Sequence, residues 1–455
     1  MLLMIWGLKS RSTNVFISFN ISFNMKKSFK KAKAGDEVEL VVNGKSEHGR
    51  LLESYDVGVV LLKLDSGYNI GFKREDVSEI KVVRERKIES KKDDRVKMSG
   101  KKPIIEMIVT GGTISSKLDS STGGVEGLID NNELLKTYPE IFEVADFRVK
   151  SPFMKVSENM TPVDWIKIAK LVGKALNDPQ VKGVIVSHGT DTLHYTASAL
   201  SFMLGRLNKP VVLTYSQRSS DRGSSDARMN LICSVRAALG DVSEVMLVGH
   251  ATINDDYCFM LQGNKCRKLH SSRRDTFRPV NCRPYGKIWP DGRMEMIRDD
   301  FRKRNKDKVE VDAVFDPKVG LFKAHPASNP SVLDYYKKNC KGLVIEGTGF
   351  GHVITEGKSN WIPKLKESIG KGLLIYMTSQ TIFGRVDSYV YSPGRKLNDV
   401  GVVYLGDMLS ETALVKLGWV LGHKDWRGSV STKLKMLENI SGEFNDRLDE
   451  EFLGM

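Results

Sequence analysis

From Pro103 onward, short apolar runs alternate with helix-length amphipathic ones, and this alternation narrows the fold more than any other feature of the chain. Residues 104–109 read as a buried strand, and residues 165–176 place Ile166, Ala169, Leu171, Val172 and Leu176 on one helical face. Thr161, followed by Pro162 and Asp164, has the chemistry of a helix start. Strands at 181–186, 210–215 and 244–249 then interleave with helices at 193–204 and 227–239. Strands separated by helices predict parallel βαβ units in a doubly wound sheet. From about Val309 the order repeats on a smaller scale, with strands at 319–322, 343–345 and 373–377. Helices are expected there at 332–338, 361–369, 413–421 and 432–439. The reading is a two-domain α/β body, 103–308 and 309–455.

The residues ahead of that body have another pattern. Residues 37–42, 48–52, 57–64 and 68–72 read as short strands, with Asn43-Gly44 and Asp65-Ser66-Gly67 as turns. Strands packed this densely between Gly35 and Val83 predict a small SH3-like β-barrel within residues 25–84. Such barrels either dock RNA or protein or serve as packing modules. Residues 85–102, with Lys91-Lys92-Asp93-Asp94-Arg95, lack apolar periodicity and read as a charged linker. Residues 1–24 read as a disordered arm, or as residues preceding a true start at Met25.

The formal net charge of +14 points to a polyanionic partner such as nucleic acid, or to a solvated lysine-rich surface. Five cysteines without a CxxC pair or zinc spacing fit a reducing, cytoplasmic setting rather than a disulfide framework. The eight histidines form no HExxH arrangement, so no metal site is expected. No apolar run is long enough to span a membrane.

Two strand ends carry hydroxyl-rich loops. Thr110-Gly111-Gly112-Thr113-Ile114 follows the first strand of the body, and Ser187-His188-Gly189-Thr190-Asp191-Thr192 follows the strand at 181–186. Ligands of open α/β sheets bind at the carboxyl ends of strands, so both loops are expected to build one site. Thr113 and Thr190 are candidate nucleophiles, which need a base and a fixed geometry. The amides of Gly111 and Gly112 can face a developing oxyanion. Taken singly, the first loop also fits an ordinary turn and Asp191 an ordinary helix cap. Taken together they point to a hydrolytic site. No histidine is placed by pattern to serve as base. A lysine whose ammonium is disfavoured by burial can do so. Lys268 is the best candidate, although its surroundings are crowded with cations and composition does not separate it from a solvated lysine.

Over about residues 104–440 these motifs resemble the asparaginase/glutaminase amidohydrolase family. The resemblance is carried by TGGTI at 110–114, Ser157-Glu158-Asn159-Met160, SHGTDT at 187–192, Lys209-Pro210-Val211-Val212-Leu213, Ser216-Gln217-Arg218-Ser219 and residues 225–231. A lysine followed nine positions later by a phenylalanine, Lys268 and Phe277, completes it. It implies that Thr113 and Thr190 are the two catalytic threonines, with Lys268 and Asp191 assisting the second. It also implies that Asp191 faces the substrate's α-amino group, and that Ser157 and Glu158 bind its α-carboxylate and amine. One departure stands out. Free asparaginases carry a tyrosine in the loop after TGGT, and residues 119–125 contain none, so Thr113 is expected to be activated differently, with a partner or substrate closing that loop.

Barrel, linker and body in this order are similar to the D-subunit family of the archaeal glutamyl-tRNA(Gln) amidotransferases, as are residues 67–71 and 377–386. That resemblance implies a glutaminase that sends ammonia to the E subunit, a kinase and transamidase acting on Glu-tRNA(Gln). ATP and Mg are then expected in that partner, with no cofactor in this chain, which has no Walker-type phosphate loop. A homodimer within a heterotetramer is implied as well. A free-standing asparaginase with an extra barrel would share every catalytic residue. A non-catalytic RNA-binding protein on the same scaffold is disfavoured by the presence of both threonines, the aspartate and the lysine. The barrel, the missing tyrosine and the basic charge favour the tRNA-linked reading.

Overall fold

The computed structural model describes residues 32–54, 56–66, 68–85, 100–112, 114, 116–118, 125–127, 137–220 and 223–448. The arm at 1–24 and most of the linker lie outside the described residues. The chain divides into two compact units.

In the first unit, alternating burial along β1 (Glu37–Val42) turns Val38 and Leu40 inward. Asn43 and Gly44 both take positive φ, 50° and 79°, the backbone of a two-residue hairpin turn. That turn pairs β1 with β2 (Lys45–Leu52), and β3 (Val59–Lys63) and β4 (Asn69–Lys73) continue the meander. The last strand, β5 (Val77–Arg84), returns beside β1, giving the antiparallel order β4-β3-β2-β1-β5 of an SH3-like barrel. Val38, Leu40, Val60, Leu62, Val77 and Ile80 form its small core.

The second unit opens with β6 (Ile104–Val109), a hairpin of β7 (Ser116–Leu118) and β8 (Val125–Gly127), and β9 (Asp146–Lys150). Helix α1 (Pro162–Leu176) begins as read from the sequence. The Thr161 N–H donates to the Asp164 carboxylate at 2.8 Å, part of a capping box. It is followed by β10 (Val181–Ser187), α2 (Leu193–Met203), β11 (Val211–Thr214), α3 (Ala227–Leu239) and β12 (Val245–His250). The strands β9, β6, β10, β11 and β12 run parallel, as expected. Burial on both faces explains their nearly continuous apolar sequence. Ile185 joins the core under α3, whereas Val184 and Val186 join the core under α1 and α2.

Beyond β12 the sheet changes character. β13 (Cys258–Gln262), β16 (Gly286–Ile288) and β17 (Met294–Met296) extend it antiparallel, and β14 (Cys266–Lys268) pairs with β15 (Phe277–Pro279) as a separate hairpin. The sequence reading places no strands here. Antiparallel neighbours need only short connections, so the helix-length spacing that marks parallel units is absent.

The smaller half carries a second parallel sheet built from β18 (Val319–Lys323), β19 (Gly342–Gly347), β20 (Leu374–Ser379) and β21 (Val403–Tyr404). Its helices are α4 (Val332–Asn339), α5 (Ile362–Gly370), α6 (Ser392–Asp399), α7 (Ser410–Gly422) and α8 (Ser429–Leu437). Helix α7 is buried almost all round. Its Val415, Leu417 and Trp419 share one core with Phe202 of α2 and Val344 of β19, which joins the two halves.

Candidate active site

Three loops meet at the carboxyl ends of β6, β10 and β11. Gly111 and Gly112 have φ of 120° and 84°, conformations open to glycine. A Cβ on Gly112 would lie 2.4 Å from the Gly189 nitrogen, and one on Gly111 would lie 2.2 Å from the Lys155 oxygen. Gly112 therefore lets the first threonine loop rest directly on the backbone of the second, and Gly111 lets it rest on the backbone at Lys155. Thr113 itself lies outside the described residues, as do residues 119–124 of the loop that lacks the tyrosine.

The segment 155–159 is the third wall near these loops. The Lys155 N–H donates to the Thr110 carbonyl at 2.9 Å. The Asp191 N–H donates to Ser157 Oγ at 3.1 Å, and the Thr192 hydroxyl donates to the Ser157 carbonyl at 2.6 Å. Ser157 is buried, whereas Glu158 stands exposed on the same turn.

His188 organises the second loop from beneath. Its Nδ1 lies 2.7 Å from the Gly189 carbonyl and its Nε2 lies 2.8 Å from the Thr196 hydroxyl. A carbonyl only accepts, so Nδ1 carries the proton and Nε2 receives the Thr196 hydrogen. Complete burial lowers the imidazole's pKa to about 4, so the ring is neutral near pH 7. Both nitrogens are occupied, which leaves His188 a structural part and no base.

Lys268 ends β14, and Phe277 is its direct cross-strand partner on β15. The nine-residue spacing noticed in the sequence is thus a hairpin register. Phe277 is buried against Tyr215, with ring centroids 4.7 Å apart, which anchors the hairpin under the site. Lys268 Nζ sits 2.8 Å from Thr190 Oγ1 and 2.8 Å from Asp191 Oδ1. The lysine side chain is 12% exposed and the aspartate 61%, so the lysine nitrogen is sheltered while the carboxylate reaches toward solvent. Four of the residues singled out in the sequence, Ser157, Thr190, Asp191 and Lys268, are brought together here.

Two participants have no role assigned from the sequence. Gln217, just past β11, has Oε1 3.5 Å from Thr190 Oγ1. Asp226, at the start of α3, accepts the Gln217 N–H at 2.9 Å and the Arg218 N–H at 3.0 Å. Burial raises the Asp226 pKa, and these backbone donors act against that rise. Ser216–Ser219 belongs to the family resemblance, but nothing in the spacing marks Gln217 as facing a threonine on another strand end.

Family models assign the three parts of the chain. A GatD N-terminal domain matches residues 32–83, an asparaginase N-terminal domain matches 104–302, and a glutaminase/asparaginase C-terminal domain matches 318–432. The chain is 46% identical over 420 residues to the glutamyl-tRNA(Gln) amidotransferase D subunit of Pyrococcus furiosus, covering 91% of this chain and 92% of that protein. The D subunit of Pyrococcus abyssi is 45% identical over 442 residues, covering 96% of each.

The chain belongs to the D-subunit family of the glutamyl-tRNA(Gln) amidotransferases.

Solved asparaginases account for the body. The thermostable L-asparaginase of Thermococcus kodakarensis matches with a TM-score of 0.67 at 27% identity, covering 76% of this chain and all of its own. L-asparaginase I of Vibrio cholerae matches with a TM-score of 0.64 at 27% identity, covering 76% of this chain and 99% of its own. The family match to the leading barrel favours an amidotransferase component over a free-standing asparaginase. Among the described residues no helix is long and apolar enough to cross a membrane.

Proposed function

We propose that this chain is the glutaminase component that releases ammonia for conversion of Glu-tRNA(Gln) to Gln-tRNA(Gln). The observation that carries the chemistry is Lys268 Nζ within 2.8 Å of both Thr190 Oγ1 and Asp191 Oδ1. A hydroxyl held against an amine can lose its proton as it attacks, and the adjacent carboxylate offsets positive charge on that amine. In the proposed cycle a threonine oxygen bonds to the side-chain amide carbon of glutamine. The amide nitrogen gains a proton and leaves as ammonia, giving an acyl-enzyme ester. Water then cleaves the ester, returning the proton to the threonine and releasing glutamate. The resemblance supports Thr113 as the second threonine of this cycle, and Ser157, Glu158 and Asp191 as the contacts to the α-carboxylate and amine.

ATP and Mg belong, in this reading, to a kinase and transamidase partner, the E subunit, which activates the glutamate on the tRNA. A homodimer within a heterotetramer, working in the cytoplasm, completes the proposal. Ammonia release from glutamine by the purified protein tests the amide-cleaving step. The Lys268→Ala variant is expected to lose about 10²–10⁴-fold in turnover at neutral pH, with partial recovery at high pH. Turnover equal to the parent would contradict the assignment.

A further inference from the structure

The structure leaves one buried amide of the site without a partner. Gln217 Nε2 is inaccessible to solvent and makes no hydrogen bond among the described residues. Buried donors are nearly always paired, so an orphan beside reacting groups calls for a ligand. Its position is tightly held. Asp226 accepts the Gln217 N–H through both carboxylate oxygens, at 3.1 and 2.9 Å. The Asn230 side chain donates to the Tyr215 carbonyl at 3.0 Å and to Asp226 at 3.2 Å, bracing the same loop from α3.

The other end of the amide is in use. In the resting arrangement, before any proton moves to the amine, Lys268 donates to Thr190 Oγ1, and Gln217 Oε1 at 3.5 Å is the acceptor present for the hydroxyl hydrogen among the described residues.

We propose that Gln217 recognises the substrate's side-chain carboxamide, donating from Nε2 to its oxygen while Oε1 orients the Thr190 hydroxyl. The inference rests on glutamine being the substrate of this site, as proposed above, and adds the group that reads its reacting end.

Affinity measured without turnover tests it. On the full-length Thr190→Ala protein, calorimetry would compare L-glutamine with L-norvaline, which has a similar amino-acid backbone and no carboxamide. Gln217→Met removes both polar atoms at similar length, and Gln217→Glu keeps an acceptor while replacing the donor. Both changes are expected to weaken glutamine by about tenfold or more and to leave norvaline within about twofold, because only the carboxamide loses its partner. An unchanged melting midpoint would separate recognition from damage to the fold. Glutamine affinity unaltered in both variants, or equal weakening of both ligands, overturns the inference. A parent that binds glutamine selectively while the wild-type protein releases no ammonia would refute the hydrolytic reading and leave this one standing. A parent that binds no glutamine would overturn this inference, with ammonia release by the wild-type protein deciding the hydrolytic reading.

Discussion

Replacing Thr190 with alanine is expected to lower ammonia release from glutamine by about a thousandfold or more. The substitution deletes the one atom on which the sheltered part of the site converges, since Lys268 Nζ and Gln217 Oε1 both address Thr190 Oγ1. The fold should survive. Thr190 is half-buried, and the loop that holds it is fixed by His188, Gly189 and Ser157 through other atoms. Thr190→Ser restores the oxygen and should recover a measurable part of the rate. Ammonia release by the alanine variant close to that of the parent would remove Thr190 from the chemistry.

The second large effect concerns stability. Lys265 Nζ lies 2.6 Å from Asp407 Oδ2, and both side chains are almost completely excluded from solvent. Asp407 also accepts the Asn445 N–H at 2.9 Å, so the carboxylate anchors one further segment besides that of Lys265. Removing one member leaves the other charge buried and unpaired, at a cost of about 3–5 kcal/mol. Asp407→Asn should therefore show a much lower urea midpoint. The double variant Lys265→Met/Asp407→Leu should recover part of the loss, because it buries no orphan charge. An Asp407→Asn protein as stable as the parent would mean that the pair is hydrated or rearranged in solution.

That ion pair also bears on activity. Lys265 precedes the strand that ends at Lys268, and Arg267 Nε on the same strand meets Glu411 Oε1 at 2.9 Å. Two charged contacts to the smaller half thus pin the hairpin that delivers the lysine to Thr190.

What can be read from the sequence, and what cannot, follows from the range of the interactions. Helix α3 spans the expected residues because a helix-length run between two short apolar strands is a local signal. The Asn43-Gly44 turn and the Thr161 helix start are local in the same way. Thr190 and Asp191 are visible because a strand, a tight loop and a helix follow one another in one contiguous string. Lys268 is reachable only through resemblance. Its partners lie 78 and 77 positions away, and nothing in the pattern around it separates it from its basic neighbours. Gln217 and Asp226 sit inside recognisable motifs without a legible role, since their meaning depends on β11 lying beside β10 in the sheet. The antiparallel edge of that sheet escapes for a related reason. Its strands are short, and their pairing is set by contacts with β12 and with one another rather than by a local period.

The most direct test of the central claim is ammonia release from glutamine by the purified protein, alone and then with the proposed kinase and transamidase partner plus Glu-tRNA(Gln) and ATP. Strong stimulation by the complete mixture, lost in Thr190→Ala, is the predicted result. Full activity alone, indifferent to partner and tRNA and greater with asparagine, would contradict it.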